Sequence, residues 1–379
     1  MPLLTSRGIP LFSIFGIRVM VHYSWFVVVA LIVWGLATGW FPSYLPDRST
    51  TQYVLLGLIT GFFFFASVFI HELSHSIVAI RNGIPVRRIT LFLFGGVAEI
   101  LREPSDPKTE LKIAVAGPAM SALIGAVCWA AYFFLEARSI RPGLAIAFQY
   151  LALANTFLLL FNLLPGLPLD GGRVFRAVLW RATKNVTRAT FVASSVGKGL
   201  AGLLIVLGIL AIVTGWGTRS GLWLIFIALF LRQAADTSYR QLVMREKLGG
   251  VRVSSLMSTR VVTVPPGISI AELIEDYLLR YHFTAYPVVS EGRPVGLVTI
   301  AGVKRVPRGR WQETRVEQAM LPLVEETSVS PDDDLPTTLQ KMSQSGLSRI
   351  PVLGTSGDLV GIVSKRDIMS YLQIRSDLA

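Results

Sequence analysis

The chain has 379 residues, room for two or three domains, and those domains do not share one solvent: 52% of the residues are apolar and 16% are charged. A wholly soluble, disordered or fibrous protein is excluded as a global description. The net charge of +12 would suit nucleic acid, but most of the arginines flank apolar runs, where they anchor to headgroups and set orientation, so no nucleic-acid partner is expected. The single cysteine, Cys128, lies in an apolar run as a small buried hydrophobe and implies no oxidising compartment.

A helix needs roughly 20 apolar residues to cross about 30 Å of hydrocarbon. Stretches of that kind lie near residues 23–41, 54–80, 111–135, 144–166, 190–214 and 221–237, which predicts six spans. Gly8 and Pro10 give turn signals where a cleavable signal peptide would need an apolar run, and the run from Trp25 is long enough to remain in the bilayer. Arg81, Arg87, Arg88, Arg102, Lys108 and Lys112 crowd the second connection, and Arg173, Arg176, Arg181, Lys184 and Arg188 crowd the fourth. The opposite loops hold only Arg48, then Arg138 and Arg141, then Arg219. The positive-inside rule therefore places both termini and the basic loops in the cytoplasm.

The second stretch contains His71-Glu72-Leu73-Ser74-His75. Residues four apart share one helix face, so both imidazoles can reach a single ion while Glu72 approaches a water bound to it. The whole chain has four histidines, and two fall at this separation around a glutamate inside apolar sequence. Ionisable groups at that depth are functional by default. His71 is ten residues from Arg81, roughly 15 Å into the membrane at about 1.5 Å per residue.

After this stretch, RRITLFLFGGVAEI (residues 87–100) alternates and is rich in β-formers, with Gly95-Gly96 as a turn, which predicts a short hairpin lining a groove. A catalytic zinc wants three protein ligands and an open position. Asp170 is the leading third candidate: in NLLPGLPLDGGR, Pro165, Gly166 and Pro168 break the fourth helix ahead of it, and a broken helix can turn a carboxylate inward. A downstream glutamate, Glu110 or Glu136, is the alternative.

Beyond Arg240 the chain becomes soluble in character and repeats with a period of about 64 residues. VSSLM at 253–257 recurs as VEQAM at 316–320, YPVV at 286–289 as IPVL at 350–353, and GLVT at 296–299 as GIVS at 361–364. The expected organisation is a membrane domain over 1–240, a linker over 241–252, and repeats over 253–315 and 316–379.

HELSH followed by NLLPGLPLDGGR, with GGVAE at 95–99 and AGPAMS at 116–121, resembles the site-2 protease family of intramembrane zinc metalloproteases, in its prokaryotic branch with a cytoplasmic CBS pair. The resemblance implies a polytopic α-helical domain carrying His71, His75 and Asp170 as ligands of one Zn2+ and Glu72 as general base. Asn162, eight residues before Asp170, would position substrate or stabilise the oxyanion. Ser121 departs from the family, standing where many members have asparagine, and no polar role is expected of it. The water half resembles two α+β CBS repeats. Gly361-x-x-Ser364-x-x-Asp367 in the second matches the family's adenosine pattern, with Ser364 toward phosphate or ribose and Asp367 toward ribose, so ATP, ADP or AMP is the expected ligand. In the first repeat Gly302 replaces the aspartate.

The reading as a whole is a multi-pass protein of the cell's inner membrane. It would hydrolyse peptide bonds in or near transmembrane segments of single-span proteins, such as anti-sigma factors, membrane-tethered transcription factors or signal-peptide remnants, under adenine-nucleotide control. A homodimer through the CBS repeats is compatible with it. The competing class is a CBS-gated transporter or channel, which six spans would suit but which leaves HELSH unexplained.

Overall fold

The computed structural model describes residues 8–93, 95–215 and 217–378. The chain divides into two compact units, 1–242 and 243–379.

The first unit opens with two short strands, β1 (Gly8–Ile14) and β2 (Ile17–His22), joined by a turn at Phe15-Gly16. Ile17, Val19 and Val21 alternate with outward Arg18 and Met20, which buries one face of β2. Helix α1 (Tyr23–Tyr44) follows, passing through a π-helical segment at Leu36–Trp40. Helix α2 (Thr50–Arg81) starts at a reciprocal cap, Ser49 accepting from the Gln52 amide while Gln52 accepts from the Ser49 amide, and ends before Gly83 at positive φ. Strands β3 (Val86–Phe92) and β4 (Gly95–Ile100) come next.

The four strands form one sheet in the order β1-β2-β3-β4. β1/β2 and β3/β4 are antiparallel, whereas β2 and β3 run parallel with Arg18 opposite Arg88 and Val21 opposite Leu91. Residues 87–100 are thus the outer half of a larger sheet whose other half comes from the N-terminus. Ile17, Ile89, Leu73, Ala79 and Ile113 pack in one cluster that fixes the sheet against α2 and the next helix.

Helix α3 (Pro107–Ala137) begins at Asp106, whose carboxylate accepts from the amides of Lys108 and Thr109, each at 3.0 Å. Hydrogen bonding by Thr109, through its side chain first and then its amide, holds the Asp106 carboxyl below its ordinary pKa. α4 (Pro142–Asn162), α5 (Asp170–Thr183), α6 (Val186–Val213) and α7 (Thr218–Leu248) complete the unit and lead toward the second. Among the described residues five helices are long and apolar enough to cross a membrane: α1, α2, α3, α4 and α6. The sixth expected stretch, 221–237, falls in α7, which carries Arg232 and Asp236 and is tied to α6 by a Lys198–Asp236 bridge of 3.2 Å. α7 continues to Leu248, so the first part of the expected 241–252 linker is helical.

In the second unit the helical segment 270–281 begins at a Ser269/Glu272 capping box and precedes the antiparallel pair β5 (Ala285–Ser290) and β6 (Arg293–Thr299). The other repeat supplies α8 (Leu335–Ser345), the pair β8 (Arg349–Leu353) and β9 (Leu359–Ser364), and α9 (Lys365–Asp377). The short β7 (Leu321–Pro322), which leads the second repeat, pairs with β6 of the first, and Ser258, from the lead of the first, bridges to Ile362 of the second. Each lead therefore completes its neighbour's sheet, and Leu248 and Val253 lie in a core built with Val329, Leu335, Ile350 and Val363. Thr284 and Ser348, one period apart, meet at 2.7 Å between their hydroxyls.

Candidate metal centre

The polar cluster is built by three helices of the first unit. α2 buries His71 and His75, 3% and 4% exposed, on the face that also carries Val68 and Ala79. α5 places Asp170 at its first residue. Between α4 and α5 the chain makes a tight loop in which the Gly166 amide donates to Leu164 O, the Leu167 amide to Ala193 O of α6, and the Leu169 amide to Gly166 O. The loop packs so closely that a Cβ on Gly172 would overlap the Gly166 carbonyl, and one on Gly197 of α6 would overlap the carbonyl oxygen of Leu167. The glycines after Asp170 thus let the start of α5 lie directly against the broken end of α4.

His71 Nε2 and His75 Nε2 lie 3.2 and 3.1 Å from Asp170 Oδ2, and 3.3 Å from one another. Ligands at about 2.0–2.1 Å from one ion stand roughly 3.3 Å apart at the corners of a tetrahedron, so the three separations fit a single zinc-sized cation. Among the described residues this trio is the one group of three that could hold a metal. Gly117 of α3 sits over the two imidazoles, where a Cβ would overlap both Nε2 atoms. The space at the converging ligand atoms is therefore kept open by a missing side chain.

The far sides of the rings are also held by α3. His75 Nδ1 donates to the Ile113 carbonyl at 2.6 Å, and His71 Nδ1 is 2.8 Å from Ser121 Oγ. Ile113, Gly117 and Ser121 follow at intervals of four on one helix face. Ser121 is fully buried, and its contact with His71 corrects the expectation that this position has no polar role. Pro118, inside the helix, lacks the amide that would bond four residues back, which loosens the backbone ladder beside Ile113.

Glu72 is half-buried beside the trio, its side chain against the backbone of β4: a Cβ on Gly96 would meet Glu72 Cδ at 3.0 Å and overlap Cγ. Its carboxylate is within electrostatic range of His71, Asp170 and Arg173. Asn162 is the last residue of α4, half-buried, and is not among the residues that hydrogen-bond the trio. The alternative third ligands lie outside the trio. Glu110 is fully buried in an ion pair with Arg176 of α5, whose Nε donates to Oε1 at 2.7 Å, and Glu136, near the C-terminal end of α3, is not in the cluster that could hold a metal. Sequence reasoning missed Ile113, Gly117, Ser121 and Gly96 as parts of the site, although AGP and GG mark two of these places.

In the second unit Ser364 and Asp367 satisfy each other. Ser364 Oγ donates to Asp367 Oδ2 at 2.6 Å and accepts from the Asp367 amide at 3.2 Å, forming the cap of α9. Arg349 lies over the Phe283 ring at 3.8 Å, joining the two repeats, and burial draws its guanidinium below the ordinary arginine pKa.

The family model described as Peptidase family M50 matches residues 59–147 and 136–206, and the CBS domain model matches 253–308 and 317–374. The chain is 37% identical to "Putative zinc metalloprotease Rip3" of Mycobacterium tuberculosis, over 97% of this chain and 93% of that one. It is 31% identical to "Zinc metalloprotease MJ0392" of Methanocaldococcus jannaschii, over 98% and 99%. A solved structure described as "Site-2 Protease from Methanocaldococcus jannaschii" is 30% identical, with a TM-score of 0.43, over 62% of this chain and 96% of that one. With a metal-competent trio in the first unit and a CBS pair following it in sequence, the chain belongs to the M50 peptidases, the site-2 protease family, and is a zinc metalloprotease.

Proposed function

We propose that the protein is an intramembrane endopeptidase in which His71, His75 and Asp170 hold one zinc ion and Glu72 is the general base. The observation that carries the reading is the convergence of three ligand atoms to 3.1, 3.2 and 3.3 Å. Zinc bound there supplies a Lewis acid that polarises a peptide carbonyl and acidifies water. Glu72 takes the proton of the attacking water on its carboxylate and passes it to the amine nitrogen of the leaving segment as the C–N bond breaks. β4 packs against the Glu72 side chain at Gly96, which limits the room the carboxylate has to move. Asn162 orients the substrate backbone or its developing oxyanion.

Peptide bonds in a transmembrane helix are engaged in its own ladder, so the substrate must unwind before cleavage. β4 is an edge of the sheet and touches Glu72 through Gly96, which suits capture of an unwound segment by strand addition. The substrates of this reading are single-span membrane proteins, such as anti-sigma factors or signal-peptide remnants. α7 supplies the sixth span, and both termini and the CBS pair face the cytoplasm, as the basic connections require. The CBS pair takes ATP, ADP or AMP at Ser364 and Asp367 and can pair with a second copy.

Co-expression with tagged single-span proteins tests the enzymatic reading. Cleavage by the wild type and none by Glu72→Gln is expected; cleavage that survives the substitution removes Glu72 as the base.

A further inference from the structure

The two imidazoles are supported by unlike groups. His75 Nδ1 faces a backbone carbonyl, which can only accept, so its ring must carry the proton at Nδ1 and present a lone pair from Nε2. His71 Nδ1 faces the hydroxyl of Ser121, which can donate or accept. Both supports come from one face of α3, two turns apart, with the bare backbone of Gly117 between them. Ser121 is fully buried, so water does not compete for His71 at that atom.

We propose that Ser121 is the positioning residue of His71: its oxygen accepts from Nδ1–H, which fixes the tautomer and the ring plane that aim Nε2 at the ion, while Ile113 does the same for His75 through the main chain. The claim deepens the metal reading of this site and rests on it. The division has a consequence for substitution. The support of His75 is backbone and does not depend on the residue at 113, whereas the support of His71 disappears with one oxygen atom.

The test uses the full chain purified in detergent, with zinc and cobalt(II) as probes. Ser121→Ala raises the zinc dissociation constant, read by competition with a chelator, about 10- to 100-fold, the usual effect of removing an outer partner of a ligating histidine. It also shifts the ligand-field bands of the cobalt(II) form. A wild-type dissociation constant and cobalt spectrum in Ser121→Ala overturn the proposal. A wild-type chain that binds neither metal removes the metal reading itself and this inference with it.

Discussion

Gly117 and Gly96 do similar work on opposite sides of the centre. At Gly117 a methyl group would occupy the space shared by His71 Nε2 and His75 Nε2, so Gly117→Ala is expected to abolish zinc binding with every ligand intact, as read by metal analysis of the purified variant. At Gly96 the methyl would press on Glu72 and not on the trio. Gly96→Ala should keep a full equivalent of zinc yet lose about 100-fold or more in turnover, because a misplaced base forfeits most of its proton-transfer advantage. Retained turnover in Gly96→Ala would show that the carboxylate does not depend on β4. Of these residues His71, His75, Glu72 and Asp170 are candidates by spacing and by their setting in apolar runs, and the structure brings His71, His75 and Asp170 together. Ser121 is not such a candidate, because a serine inside a span has many bland roles and only the fold brings it opposite His71.

At the level of elements, α3 and α5 frame the site, and one buried pair joins them. Glu110 is 0% exposed and Arg176 reaches it from α5, six residues beyond Asp170. Removing one partner of such a pair leaves a buried charge uncompensated, at a cost of about 3–5 kcal/mol, while replacing both with apolar groups can be nearly neutral. Arg176→Met is therefore expected to lower thermal stability strongly and to loosen zinc, and the Arg176→Met/Glu110→Leu double variant to recover most of the stability. Equal losses in both would mean that the pair contributes little through its charge. The helices themselves were readable from apolar run length, and the break before Asp170 from its prolines and glycines. The sheet was read only in half. β2 pairs with β3, which lies more than sixty residues later, and a six-residue strand whose partner is that remote has no local turn to announce it.

For the molecule as a whole, composition separates an apolar first part from a more polar second part, close to where the two compact units divide, and the period of the second part corresponds to its two CBS matches. The exchange of lead segments between the two repeats was not readable, because period alone says which residues correspond and not which sheet they complete. The proposed nucleotide site is at a helix cap, where Ser364 and Asp367 hold each other. Titration calorimetry of the full chain with ATP, ADP and AMP should show binding that Asp367→Ala weakens about tenfold, or ~1.4 kcal/mol. An unchanged isotherm would reject Asp367 as a contact.

In the proposed centre two imidazoles and one carboxylate grip a single zinc ion. X-ray absorption with elemental analysis of the active, purified chain addresses it directly. One zinc per chain is expected, in a shell of nitrogen and oxygen, lost in His75→Ala and in Asp170→Asn but kept in Glu110→Gln. Peptide cleavage by a chain free of metal, or zinc retained when His71, His75 and Asp170 are all replaced by alanine, would contradict it.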